Sequence, residues 1–259
     1  MIRRPWLAAL ACAATAAVPI VAPPKLDDLV EVGRYAARPL LVPLAFEAVA
    51  VSRQRGTPAE TYARAQQLLQ WLPQWLDGHT VFAYRYAIEG GNLAAPATAR
   101  PAAAAERLLV ALGALHAARP YVGRREVELL ETMAFLPEAA VREEPGVAAL
   151  LQRHGGAAQL ADDLLAAAEA RGAGPAVRER RTFRAVGYAA ALLAAGNRQG
   201  ALQVLDLAIE RTGEVRDASV AGPWRERLCE IRAHLRGEAV DLTAVAADPR
   251  MADLLPHLR

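Results

Sequence analysis

From Pro24 onward, apolar residues recur at three- and four-residue spacing, and no run of alternating β-branched residues lies between hairpin turns. The chain therefore reads as all-α. Helices are expected at about 26–54, 58–72, 77–90, 101–118, 123–136, 145–153, 155–171, 175–195, 198–211 and 223–236, with Pro39 and Pro43 breaking the first part. The clearest stripe is in GALQVLDLAIER, where Ala201, Val204, Leu205, Ala208 and Ile209 share one helical face. That face must pack on a neighbour. The preceding segment offers Phe183, Val186, Gly187, Ala190 and Ala194 as a matching stripe, and Gly196-Asn197 supplies the turn of a helical hairpin. Trp224, Leu228, Ile231 and Leu235 form a further stripe that can stack on it.

The amino-terminal pattern is different. Arg3 and Arg4 precede seventeen uncharged, mostly apolar residues, Trp6 to Ala22, which end at Pro23, Pro24 and Lys25. As a helix they would span roughly 25 Å, against an apolar bilayer core of about 30 Å. Residues 1–24 thus read as a signal-anchor or a signal peptide, ahead of a helical domain over 25–259. An Ala-x-Ala site at Ala14-Thr15-Ala16 suits cleavage, whereas Pro23 spoils a site after Ala22. Ala9-Leu10-Ala11-Cys12 only loosely resembles a lipoprotein box, and a buried amino-terminal helix of a cytoplasmic protein is the remaining reading. An uncleaved segment would leave Arg3 and Arg4 in the cytoplasm and place the domain on the periplasmic side of an inner membrane. A cleaved one would release a periplasmic or secreted protein.

The stretch from Ala185 to Gly213, AVGYAAALLAAGNRQGALQVLDLAIERTG, resembles one tetratricopeptide repeat, a helix-turn-helix unit of about 34 residues. In that register Ala189 and Ala201 are small packing positions, Gly196 is the turn, Leu205 the large apolar position and Ala208 the second small one. It departs at Ala185, Leu192 and Gly213, where the family often has tryptophan, tyrosine and proline. A degenerate second match runs from Phe46 to Pro73 with Gly56 at the turn, and its spacing requires an insertion. Residues 95–175 show paired helices without a register. The resemblance implies stacked helical hairpins, a tetratricopeptide-like α-solenoid whose concave groove binds a peptide or partner helix.

Composition narrows the function classes. Thirty basic and twenty-eight acidic residues, without a polybasic run, leave no electrostatic footprint for nucleic acid. Lys25 is the only lysine, and asparagine occurs only at positions 92 and 197. That bias, with abundant alanine, is what a GC-rich bacterial genome produces. Cys12 and Cys229 cannot build a disulfide framework or a four-ligand zinc site and read as small buried hydrophobes. Histidines 79, 116, 154, 234 and 257 lie in no HExxH or Cys/His cluster, so neither a metal nor a cofactor is expected. His116 reads as a residue of a helix's last turn, near its favourable dipole end. The adjacent acids Asp162-Asp163 and Glu143-Glu144 point to different helical faces and read as solvated. Gly90-Gly91 and Gly155-Gly156 mark turns without a phosphate-cradling pattern, and no nucleophile elbow occurs.

Residues 68–91, LLQWLPQWLDGHTVFAYRYAIEGG, hold two of the four tryptophans, one of the four phenylalanines and two of the six tyrosines. Leu72-Pro73 ends one helix, and Asp77 is the expected N-cap of the next. The window reads as a structural corner that can double as a contact site, because Trp, Tyr and Arg dominate binding hot spots. Protein-binding candidates are Trp75, Phe82, Arg85 and Tyr86, with Arg184 and Tyr188 their equivalents in the later hairpin. The expected function is that of a membrane-anchored or exported scaffold or accessory subunit that binds another protein and is not an enzyme. The alternative is an all-α enzyme with its site near Asp77, His79 and Arg85, and a third reading is a structural subunit of a large membrane complex.

Overall fold

A computed structural model describes residues 26–89 and 95–258. Among them are eleven α-helices and no strand. They are α1 (Leu26–Arg55), α2 (Pro58–Trp71), α3 (Leu76–Tyr84), α4 (Arg100–Ala118), α5 (Glu126–Glu143), α6 (Val147–Leu151), α7 (Gly156–Ala170), α8 (Pro175–Ala194), α9 (Arg198–Arg211), α10 (Ala218–Leu235) and α11 (Thr243–Ala247). The chain divides into two compact units, one ending at Pro73 and one beginning at Gln74. No helix among the described residues is long and apolar enough to cross a membrane. The segment 6–22, expected to anchor or target the chain, lies outside the described residues.

In the first unit, α1 and α2 pack as a hairpin. Thr57 starts α2, its Oγ1 accepting the Glu60 N–H at 3.2 Å, and Pro58 occupies the first turn, where no N–H partner is lost. The expected break in α1 does not occur, since one helix runs through Pro39 and Pro43. Both prolines are exposed and sit four residues apart on one side, where water can reach the carbonyls left without an N–H partner.

In the second unit most helices pack on their sequence neighbours, α3 on α4, α4 on α5, α7 on α8, α8 on α9 and α9 on α10. The short α6 is spanned by a direct packing of α5 on α7. Two apolar cores result. One gathers Leu108, Leu115, Leu129, Leu130, Leu136, Leu151 and Leu165. The other gathers Leu205, Trp224, Leu228, Ile231, Met251 and Leu254. Each such buried side chain contributes about 1.5–3 kcal/mol over its exposed state.

Helix α5 begins at Glu126, after a 3-10 turn over 123–125, and continues to Glu143 rather than ending near 136. Pro137 lies inside it, and burial of Ala139 and Ala140 beyond the proline holds the helix together despite the missing N–H.

The α8–α9 hairpin forms where the pattern placed it. Ala189, Ala201, Leu205 and Ala208 are buried in its interface, and Trp224, Leu228, Ile231 and Leu235 of α10 are buried on the same core. The buried stripe of α8 is Thr182, Ala185, Val186, Ala189 and Ala190, while Ala194 is exposed and Phe183 only partly buried. Gly196 takes φ +76°, which a side chain rarely adopts. Its N–H reaches the Leu193 carbonyl at 2.9 Å, and that of Asn197 reaches Leu192 at 2.8 Å, closing α8 with a Schellman turn. Asn197 then caps α9, its Oδ1 accepting the Gly200 N–H at 2.9 Å.

The carboxyl-terminal segment closes the second core with Val245, Met251, Leu254 and Leu258. Arg250 lies over the Trp224 ring at 5.0 Å and donates to Asp248 through Nε (2.9 Å) and Nη2 (2.5 Å). Those side-chain hydrogen bonds hold the Asp248 carboxyl below its ordinary range, against the opposing effect of its own burial. A depressed carboxylate pKa adds stability that is present above the unfolded value, about 3.9, and is lost as pH falls through the folded value. Acidification from pH 6 should leave Trp224 fluorescence unchanged until below about pH 4 and then report release of this segment. In Asp248→Asn that late component should be missing, and its persistence would place the titrating group elsewhere.

Candidate functional site

The outward side of α5 forms the floor of an open groove of about 700 Å³ in the second unit. Thr80, Val81, Tyr84, Arg85 and Glu89 form one wall, Arg180 and Arg184 the other. Side-chain pairs order the three helices. Arg125, just ahead of α5, donates to Asp77 at 2.7 Å, and ten residues further on Phe135 stacks against Tyr84 at 6.2 Å with 23° between the rings. On the other flank Arg180 donates to Glu131 at 2.9 Å, and Arg184 pairs with Glu138. Positions rise together on all three helices, so α3, α5 and α8 run parallel. The antiparallel return between α5 and α8 is made by α7, and Leu165 of that helix reaches the groove lining.

The large hydrophobic side chains on this surface are exposed. Val81 is 52% exposed, Tyr84 40% and Phe135 44%. Polar residues rim them, with Glu128 held by Arg125 at 2.8 Å and Arg85 beside Glu89 at 3.8 Å. Arg85 to Glu89 form a widened π-helical turn that continues α3, an irregularity that recurs at functional sites. Burial raises the Glu138 carboxyl pKa above its ordinary value, and Arg184 and Arg142 pull the other way.

Of the candidate binding residues, Arg85 and Arg184 line this groove. Phe82 is buried and stacked on Tyr86 at 5.5 Å, and Tyr86 packs against the first core. Trp75 is partly exposed just before α3, where its indole covers Gly78 so closely that a Cβ there would overlap the ring. Tyr188 is half-buried, its phenol pushed up by burial and by Asp163 and Asp162. The N-cap position before α3 is Trp75, with Asp77 one turn position inside the helix. The carboxylate of Asp77 therefore binds Arg125 across helices instead of capping, and that hydrogen bond lowers its pKa. His79 is buried, two residues and some 200° around the helix from Asp77, while Arg85 lies about 12 Å further along. Of the three, Arg85 lines the groove over α5. Gly90-Gly91 lie outside the described residues.

The groove's aromatic pair escaped the pattern reading, since Tyr84 and Phe135 come from separate helices. A second arrangement was also missed. Asp162, read as solvated, accepts from Arg181 through both carboxylate oxygens, at 2.8 and 2.7 Å. Arg181 pairs as well with Glu169, which Arg211 reaches at 3.1 Å, so one network ties α7, α8 and α9 together. The available signal was the spacing of Asp162 and Glu169, two turns apart on one face of α7. Cys229 is half-buried against the second core, and His116 is exposed in the last turn of α4. No group of three or more His, Cys, Asp or Glu among the described residues is placed to hold a metal ion.

Comparison with protein families, curated proteins and solved structures finds no match to the chain.

Proposed function

We propose that the protein is a scaffold or accessory subunit built of tetratricopeptide-like helical hairpins, which binds another protein in the groove over α5. In this reading residues 6–22 tether it to the inner membrane with the helical domain in the periplasm. The parallel run of α3, α5 and α8, with α4 and α7 returning between them, supports a repeat of hairpins that presents alternate helices on one surface. The observation that carries the reading is the stacked Tyr84–Phe135 pair, left exposed beside Val81 inside a concavity rimmed by charge. Aromatic rings supply large contact area with few torsions to freeze, the usual composition of a binding hot spot.

The double variant Tyr84→Ala/Phe135→Ala tests it. Both rings are exposed, so circular dichroism should be unchanged, while a co-purifying partner should fall at least tenfold, which is about 1.4 kcal/mol. Undiminished recovery of the partner would remove the groove from the account.

A further inference from the structure

Beyond the groove over α5, we propose that α1 joins two copies of this chain, lying antiparallel against the α1 of a second copy about a two-fold axis near Val51. Among the described side chains of the first unit, only Ser52, Leu68 and Leu69 are buried. Leu40 is 69% exposed, Leu44 61%, Phe46 43% and Val51 49%. A hairpin of two helices has a single helix–helix contact and is too small to build a full core, which association supplies in units of this size. Helical spacing gathers the exposed residues. Leu40, Leu44, Glu47 and Val51 follow one another at intervals of four, three and four residues, the period of a seam between two helices, and Arg55 continues it. An open cleft of about 440 Å³ lies along this seam and is closed on its far side by Glu60 and Arg64 of α2.

The charges identify the occupant. Glu60 and Arg64 pair with each other at 3.8 Å, but Glu47 and Arg55 make no ion pair among the described residues. Each lies four residues, about 6 Å, from Val51, so the two are too far apart to meet along their own helix. In an antiparallel pair centred on Val51, Glu47 of each copy stands opposite Arg55 of the other, and Val51 meets Val51 between the two bridges. A parallel pair would set Glu47 against Glu47 and Arg55 against Arg55. A lipid surface would have to take the Glu47 carboxylate into its apolar boundary. The antiparallel pairing maps onto itself under a two-fold rotation, the form taken by a closed contact between identical chains. Apolar contact supplies the affinity, and the charges set direction and register.

The full chain, purified in mild detergent, should be a dimer by light scattering corrected for bound detergent. Reversing one charge, in Glu47→Arg or in Arg55→Glu, sets like charges opposite each other twice and should weaken the dimer at least about tenfold. The double reversal Glu47→Arg/Arg55→Glu restores opposite charges and should return dimerisation to within about threefold of the parent. Both residues are exposed, so Trp224 fluorescence should be the same in every variant. A monomeric parent chain would overturn the proposal. So would a dimer indifferent to either single reversal, since the contact would then lie elsewhere. Single reversals that weaken the dimer, with a double reversal that stays equally weak, would overturn the antiparallel register.

Discussion

Replacing Trp224 with alanine should cost about 4 kcal/mol of the stability of the second unit, the largest single-residue effect expected in this chain. The side chain is 1% exposed. Its ring meets Phe183 edge-on at 5.2 Å and carries Arg250 on its face, and its Nε1–H points to the Thr182 carbonyl at 3.4 Å. α8, α10 and the carboxyl-terminal segment therefore all meet at this one ring. Alanine leaves a large void that the neighbours can fill only in part, and also removes the aromatic and cation–π contacts. Urea denaturation measures the loss, and hydrogen exchange locates it: protection should fall in α8–α10 first. Exposed Val81→Ala should stay within about 0.5 kcal/mol. A Trp224→Ala chain as stable as the parent would mean that the second core is not packed around this residue.

The second large effect is expected at Arg181, whose side chain is 9% exposed between two carboxylates. Burial alone would weaken its hold on its proton, but its hydrogen bonds to the Asp162 and then the Glu169 carboxylates, with their negative charge, outweigh it and raise the guanidinium pKa. Arg181→Ala leaves both acids shielded from water without their main cation, a loss of about 3 kcal/mol. Part of that loss is repulsion between like charges and not a missing attraction. Arg181→Met combined with Asp162→Asn and Glu169→Gln should therefore recover part of it, because both acids are then neutral and only Arg211 loses its carboxylate. Thermal unfolding of the single and triple variants decides the matter. A triple variant no better than Arg181→Ala would show that shape, not charge, is what Arg181 contributes.

The helical class and most element positions were legible in the sequence because burial on one side of a helix imprints a 3.6-residue period. The α9 and α10 stripes show it at Ala201–Leu205–Ala208 and Trp224–Leu228–Ile231. Prolines misled where their cost depends on surroundings: Pro39 and Pro43 are carried on an exposed side of α1, and Pro137 within buried residues of α5. The aromatic window was recognisable as a cluster but not as a division of labour. Phe82 and Tyr84 differ by two residues and hence by about 200° around the helix, which sends one ring into the interior and the other into the groove. Which of the two faced inward depended on α4 and α5, and no local pattern carries that. The Tyr84–Phe135 pair and the Asp162–Arg181–Glu169 network join residues from different helices, so their partners became visible only with the fold.

The most direct test of a tethered, partner-binding protein is purification of the full chain from its host in mild detergent, with mass spectrometry of co-purifying proteins and of the mature amino terminus. The expected result is a chain that retains residues 6–22 and brings down a stoichiometric partner, lost in Tyr84→Ala/Phe135→Ala. A solitary chain beginning near Ala17, with no protein retained, would contradict both the tether and the docking groove.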